Sequence, residues 1–228
     1  MALLKLVGVE KSFGGVKAVD GVDMEVGQEW VAVVGPNGAG KTTLVNIISG
    51  FVKPDRGRVL FKGVDVTRKG PAERVKMGIV RAFQLPLLFP NKSVQFNVEV
   101  AVAARRGLSL RPMDSAEVEE LLREFGLWEK RERSVEELSE GDKKLLDVLL
   151  AVALRPSLIL LDEPTSSVSE ADKIPLMEYL AKKLSGVAAI IVEHDLDIVK
   201  RFATRVVVMS SGRVVAVASP QEADKYVL

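Results

Sequence analysis

Lys41 and Thr42 close the run Gly35-Pro36-Asn37-Gly38-Ala39-Gly40-Lys41-Thr42, in which a glycine-rich backbone is followed by an amine and a hydroxyl. Glycines at these spacings let consecutive backbone N–H groups curl round an anion, and a helix beginning at the lysine adds its partial positive charge. The pattern G-x-x-x-x-G-K-[ST] therefore fits a phosphate chain, held by residues Asn37, Gly38, Ala39, Gly40, Lys41, Thr42 and Thr43. Lys41 would reach the β and γ phosphates of a nucleotide, and the Thr42 hydroxyl would ligate Mg²⁺. A second cluster lies downstream, where four apolar residues, Leu158 to Leu161, are capped by Asp162 and Glu163. Asp162 would hold Mg²⁺ through water, and Glu163 would polarise the water that attacks the γ-phosphate. Taken alone the pair also fits two solvated carboxylates at a strand end; the phosphate loop upstream favours the chemical reading.

Both clusters need rigid elements behind them. Trp30 to Val34 reads as a buried parallel strand and Thr43 to Ile48 has helical spacing, so the loop sits between a strand and a helix. Leu3 to Val9 and Val16 to Val26 alternate apolar and polar residues and form an antiparallel edge. Arg58 to Phe61 and Val64 to Val66 flank Lys62-Gly63 as a hairpin. A short helix over Pro71 to Met77 precedes a strand from Ile79 to Phe83, which ends at Gln84. From 85 to about 138 helical patterns replace strands, the clearest being Gln95 to Ala104 and Asp114 to Phe125, the latter opened by Asp114 and stopped at Gly126. Leu158 to Leu161 and Val187 to Val192 return as buried strands, and Arg205 to Met209 with Arg213 to Ala218 make a closing hairpin. The fold expected is α/β: a P-loop NTPase core, mainly of parallel sheet, with an antiparallel β subdomain and an inserted all-helical subdomain. One domain spans 1–228, with the core at 1–84 and 139–228 and the helical part at 85–138.

Composition narrows the chemistry further. The 228 residues carry 32 Lys and Arg against 31 Asp and Glu, a net charge of +1, so no general attraction to nucleic acid is implied and none is expected as a partner. The absence of cysteine excludes thiol chemistry, and a single histidine, His194, excludes a multi-histidine metal cluster. No apolar run reaches the roughly 18 to 20 residues of a membrane-spanning helix, and Met1-Ala2-Leu3-Leu4-Lys5 does not read as a signal peptide. Yet 47% of the residues are hydrophobic, which points to surface hidden against partners.

Between the two clusters lies Leu138-Ser139-Glu140-Gly141-Asp142, opening an amphipathic run from Lys143 to Leu154. Ser139 with Asp142 also fits an ordinary helix N-cap. The order of motifs is phosphate loop, Gln84 at a strand end, helical insertion, Leu-Ser-x-Gly before a helix, Asp162-Glu163-Pro164-Thr165, and His194 after a strand. In that order the chain resembles the ATPase subunits of ABC transporters along essentially its whole length. The resemblance implies ATP and Mg²⁺ as cofactors and places Phe13 under the adenine ring with Val16 beside it. It has Gln84 touch Mg²⁺ and the attacking water, and His194 touch the γ-phosphate. It also implies that Ser139 and Gly141 donate to a γ-phosphate held by a second ATPase subunit, in a homodimer or heterodimer. Transmembrane permease subunits would dock on this dimer at the cytoplasmic face of the membrane, where the chain would sit as a peripheral protein. Phe13-Gly14-Gly15-Val16, Arg81-Ala82-Phe83-Gln84, Leu88-Phe89-Pro90 and Glu193-His194-Asp195-Leu196 are most similar to the ATPases of branched-chain amino acid importers. Uptake of hydrophobic amino acids is the function expected. The alternative is a non-transport or catalytically weak ATPase of this type, acting as a nucleotide-dependent interaction partner.

The chain departs from that family where Glu140 and Asp142 replace the usual Gly and Gln, and where Ser169 replaces the usual aspartate. Two carboxylates near a triphosphate would repel it by ~1 to 2 kcal/mol per charge pair at about 8 Å. A weakened signature face is the expectation.

Overall fold

A computed structural model describes residues 2–82, 88–106, 115–166 and 168–226. In chain order the elements are β1 (Leu4–Phe13), β2 (Val16–Val26), β3 (Trp30–Val34), α1 (Lys41–Ser49), β4 (Arg56–Phe61), β5 (Val64–Asp65), α2 (Pro71–Met77) and β6 (Ile79–Ala82). They continue as α3 (Val94–Arg105), α4 (Ser115–Glu124), α5 (Glu140–Ala153), β7 (Leu158–Asp162), α6 (Glu170–Lys183), β8 (Ala188–Val192), α7 (Leu196–Phe202), β9 (Arg205–Ser210) and β10 (Arg213–Ala218).

Strands β6, β7, β8, β3 and β9 lie parallel in one sheet of order β10-β9-β3-β8-β7-β6, with β10 antiparallel on its edge. A second sheet, β2-β1-β4-β5, is antiparallel throughout. The central strands are apolar on both faces because both are covered, and their side chains sort by the two-residue period of a strand. Val31, Val33, Leu158, Leu160, Ile190 and Val192 face α1 and the antiparallel sheet. Ile159, Leu161, Ala189 and Ile191 face the opposite way, toward α3, α4, α5 and α6. Helix α1 is thus packed between the two sheets, with Leu44, Val45, Ile47 and Ile48 in one core with Leu4, Val59 and Phe61.

Arg74 of α2 is fully buried against the C-terminal end of α1. Its guanidinium donates to the carbonyls of Ile47 (2.5 Å), Ile48 (2.7 Å), Val66 (2.7 Å), Thr67 (3.3 Å) and Lys69 (3.1 Å). A cation there adds a donor to the Ile47 and Ile48 carbonyls of the last turn of α1, the first of which also accepts from the Gly50 N–H, and meets the negative end of the helix dipole. Burial pulls the guanidinium down to about 10, so it stays charged at neutral pH.

Among the described residues between β6 and α5, helices and two short 3-10 turns account for the regular structure, apart from an isolated bridge between Ser93 and Ser134. Element ends differ slightly from those the sequence predicts, and caps explain most of the differences. Helix α3 starts at Val94 because the Ser93 hydroxyl accepts from the Phe96 N–H at 3.1 Å. Helix α5 starts three residues before Lys143 because Ser139 accepts from the Asp142 N–H at 3.2 Å. The strand from Leu4 runs on past Val9 to Phe13, absorbing register shifts on the way. Phe83, Gln84 and Asp114 lie outside the described residues. No helix among the described residues is long and apolar enough to cross a membrane.

Candidate nucleotide site

The phosphate loop is shaped by two close backbone approaches. Gly35 has φ 146 and a Cβ there would lie 2.1 Å from the Met209 carbonyl oxygen; Gly40 has φ 100 and a Cβ would lie 2.1 Å from that of Ala18. A side chain at either position would drive the loop off β9 or β2. The loop leaves the C-terminal end of β3, at the sheet edge where ligands of open α/β folds bind. Residues 37–43 line a cavity of about 300 Å³ together with Ala18, Glu163 and His194. Lys41 is buried, and its ammonium donates to the carbonyls of Gly35 (2.7 Å) and Pro36 (2.9 Å). Burial pushes this amine down, opposed by the negative charges of Glu163 and Asp162. The Ala39 N–H donates to the Pro36 carbonyl at 3.1 Å, an internal bond of the loop.

Asp162 ends β7, and Glu163 follows with φ 49, a left-handed conformation in which a non-glycine residue stores strain. That turn aims Glu163 at the cavity, where its Oε1 lies 3.4 Å from His194 Nε2. Asp162 is buried, and its Oδ2 accepts from Arg81 Nη2 at 2.5 Å; Arg81 Nη1 donates to Asn46 Oδ1 of α1 at 2.6 Å. Arg81 thereby ties β6, α1 and β7 together beneath the site. Lys144 of α5 is buried nearby; burial pushes it down, while negative charge on Asp147, Asp162, Glu193 and Glu163 pulls it up.

Asp162 carboxylate and Thr42 hydroxyl are hard oxygen donors of the kind Mg²⁺ takes, and a second buried cation, Lys41, feels the Asp162 charge. Among the described residues no cluster of three His, Cys, Asp or Glu could hold a metal unaided, so such a cation would depend on phosphate oxygens as well.

The family model described as "ABC transporter" matches residues 19–166. The chain belongs to the ABC transporter family. As an ABC ATPase it is one of the ATP-hydrolysing subunits of these transporters. It is 34% identical to a Methanocaldococcus jannaschii protein described as a probable branched-chain amino acid transport ATP-binding protein, covering 100% of this chain and 94% of the relative. It is also 34% identical to a ribose import ATP-binding protein of Rubrobacter xylanophilus, over 98% of this chain and 46% of that longer relative. Among solved structures, a nucleotide-free ATP-binding cassette from an ABC transporter superposes with TM-score 0.86 at 32% identity, covering 99% of this chain and 95% of the other. The ADP conformation of an ATP-binding cassette superposes with TM-score 0.84 at 32% identity, over 99% and 94%.

Within this ABC ATPase, residues 37–43, Glu163 and His194 come together at one cavity, with Asp162 buried behind them. Other residues singled out from the sequence lie elsewhere. Phe13 and Val16 pair across the exposed tip of the β1–β2 hairpin, with the Lys11 ammonium 5.3 Å from the Phe13 ring centroid. Ser139 and Gly141 line a separate cavity of about 540 Å³ with Leu145, Val168 and Tyr179. Gln84 is outside the described residues.

The two carboxylates expected to repel a triphosphate at the signature segment each meet a cation. Asp142 is held by both carboxylate oxygens to Lys130 Nζ (2.7 and 2.6 Å), and Oδ2 also accepts from the Ser139 hydroxyl at 2.8 Å. Burial raises this carboxyl, but the bonds from Lys130 and Ser139 and the Lys130 charge outweigh it and hold it below its ordinary value. Glu140 is exposed and pairs with Lys143 at 2.8 Å. Each negative charge has a cation beside it that the sequence reading did not count.

Arg81, Lys144 and Glu193 carry the site's supporting contacts, and the sequence reading gave none of them a role. The available signals were a charge inside an apolar strand for Arg81 and a cation on the buried face of an amphipathic helix for Lys144.

Proposed function

We propose that this chain powers uptake of branched-chain or other hydrophobic amino acids, as one of two ATPase subunits bound to transmembrane permeases at the cytoplasmic face of the membrane. The observation that carries the catalytic part is the convergence of the phosphate loop, Glu163 and His194 on one cavity. The loop amides and Lys41 would grip the β and γ phosphates of ATP, leaving Glu163 to accept a proton from the attacking water and His194 to contact the γ-phosphate. When bound, Mg²⁺ neutralises phosphate charge; Thr42 and Asp162 are the donors suited to it. Gln84, outside the described residues, would join this set on the family resemblance alone. The Phe13 ring, exposed at the tip of the β1–β2 hairpin, would offer a flat apolar face to the adenine.

Ser139 and Gly141 line a different cavity from that of the phosphate loop, which supports a second subunit as the source of the γ-phosphate they would serve. ATP would then join two subunits through contacts made only in the closed state, and hydrolysis would remove them. The helical part, 85–138, would carry these motions to the permease. The amino-acid assignment rests on likeness to the Methanocaldococcus jannaschii relative over 100% of this chain and 94% of that relative; the ribose relative defines the competing reading.

Glu163→Gln tests the ATPase half: ATP affinity is kept, turnover falls at least 100-fold, and a dimer accumulates by light scattering with Mg·ATP. A monomer under all conditions, or unchanged turnover, overturns it. For the substrate, the ATPase reconstituted with the permeases that co-purify with it is stimulated by leucine, isoleucine or valine and not by ribose; the reverse pattern overturns the assignment.

A further inference from the structure

Glu193 sits immediately after β8 and is buried, 4% exposed, yet it lines no part of the nucleotide cavity. Its carboxylate gathers donors from two separate turns. Oε1 accepts from the Thr165 hydroxyl and from the Thr165 N–H at 3.3 Å, both on the turn that follows Glu163. Oε2 accepts from the N–H groups of His194 (2.9 Å) and Asp195 (3.4 Å). These turns leave neighbouring parallel strands, with Asp162 opposite Val192 in register, and the Glu163 N–H donates to the Val192 carbonyl at 2.9 Å.

We propose that Glu193 is a positioning residue that fixes the spacing between Glu163 and His194 by clamping the two turns that bear them. The proposal rests on the reading that Glu163 and His194 act on ATP. A carboxylate is suited to the task because it is acceptor-only, and four donors meet it here. Strand pairing sets the register of β7 and β8 but ends at Asp162 and Val192. Beyond it the Glu163 N–H bond to Val192 holds the start of one turn, and the Glu193 carboxylate ties Thr165 to His194. Without this carboxylate the 3.4 Å approach of Glu163 Oε1 to His194 Nε2 loses its support from both sides. Small displacements of groups that must align with a reacting water are costly in rate while leaving ground-state binding intact.

The test uses Glu193→Gln, which keeps size and shape but turns one acceptor into an NH₂ that meets at least one N–H donor in either orientation of the amide, two at His194 and Asp195 or one at Thr165. The expected result is a fall in kcat of about 10- to 100-fold with the KM for ATP within about twofold. His194 is the single histidine of the chain, so its imidazole resonances can be read without assignment ambiguity; they shift in nucleotide-free Glu193→Gln relative to the parent protein. Thr165→Val, which removes one hydroxyl donor, moves kcat and the His194 resonances in the same direction, and Thr165→Ser recovers both. If Glu193→Gln fails to fold, the Thr165 pair decides the matter. Folded variants with unchanged kcat, or with unshifted His194 resonances, overturn the clamp. Should Glu163→Gln retain full turnover, it is the underlying catalytic reading that fails.

Discussion

Replacing Arg81 by Met should destabilise the nucleotide-free protein much more than the protein loaded with Mg·ATP. Arg81 and Asp162 are both almost entirely buried, with side chains 9% and 4% exposed and a 2.5 Å bond between them. Removing one partner of such a pair leaves a buried charge uncompensated, at a cost of about 3–5 kcal/mol. Lys144 and Lys41 both feel the Asp162 charge and offset part of this, which brings the expected loss to roughly 2–4 kcal/mol. For a chain of this length each kcal/mol moves Tm by about 2–4 °C, so a fall of roughly 5–15 °C is expected. A cation brought in with the nucleotide would supply the missing positive charge next to Asp162. The Tm increment from Mg·ATP should accordingly be larger in Arg81→Met than in the parent, whereas ATP with EDTA should give similar increments in both. Thermal unfolding followed by near-UV circular dichroism, at fixed ligand concentration, measures all six conditions, the two proteins each without nucleotide, with Mg·ATP and with ATP and EDTA. Equal losses with and without Mg·ATP would refute the reasoning, because Asp162 would then not be where the cation acts.

Lys130→Ala exposes the Asp142 charge and should weaken ATP-driven dimerisation by about 1–2 kcal/mol, roughly 5- to 30-fold, and Lys130→Ala with Asp142→Asn should restore it; sedentation of the Glu163→Gln background by analytical ultracentrifugation checks this. Glu117 is held down to about 2, first by its hydrogen bond from Arg105, with further charge from Arg155 and Arg106. Its folded pKa lies below the ordinary 4.5, so its stabilisation is fully present above about 4.5 and is lost as pH falls toward 2. Glu117→Gln should lower stability at pH 7 by about 1–2 kcal/mol after solvent screening, and the gap from the parent should close by pH 2 in urea titrations. Arg74→Met removes five hydrogen bonds to carbonyls, three of them buried, and should cost on the order of 3–5 kcal/mol in urea unfolding.

The strands and the phosphate loop were legible because they depend on local rules: apolar runs for buried parallel strands, alternation for the antiparallel sheet, and glycine spacing for the loop. Gly35 and Gly40 illustrate why, since the close approaches that require them are made by backbone alone. What could not be read were contacts between side chains far apart in sequence. Asp142 looked like a bare charge because Lys130 reaches it across a turn, and Arg81 looked like part of a motif because Asp162 lies 81 residues on. Helix ends slipped by a residue or more where a serine cap, at Ser93 or Ser139, reached further back than the apolar period. Sequence periodicity reports which face is buried; it is silent on which ions meet there.

Arg74 gives the phosphate-binding helix an anchor at the end remote from any ligand. With its last carbonyls bolted to α2 and to the chain around Val66 and Lys69, α1 cannot slide along its axis without dragging the antiparallel sheet with it. Close-packed interiors transmit such loads rather than absorbing them. A tug on Lys41 from a triphosphate is therefore borne by both sheets as one block, and it reaches α3 and α4 only through the second core, which they share with α5, α6 and the far face of the parallel sheet.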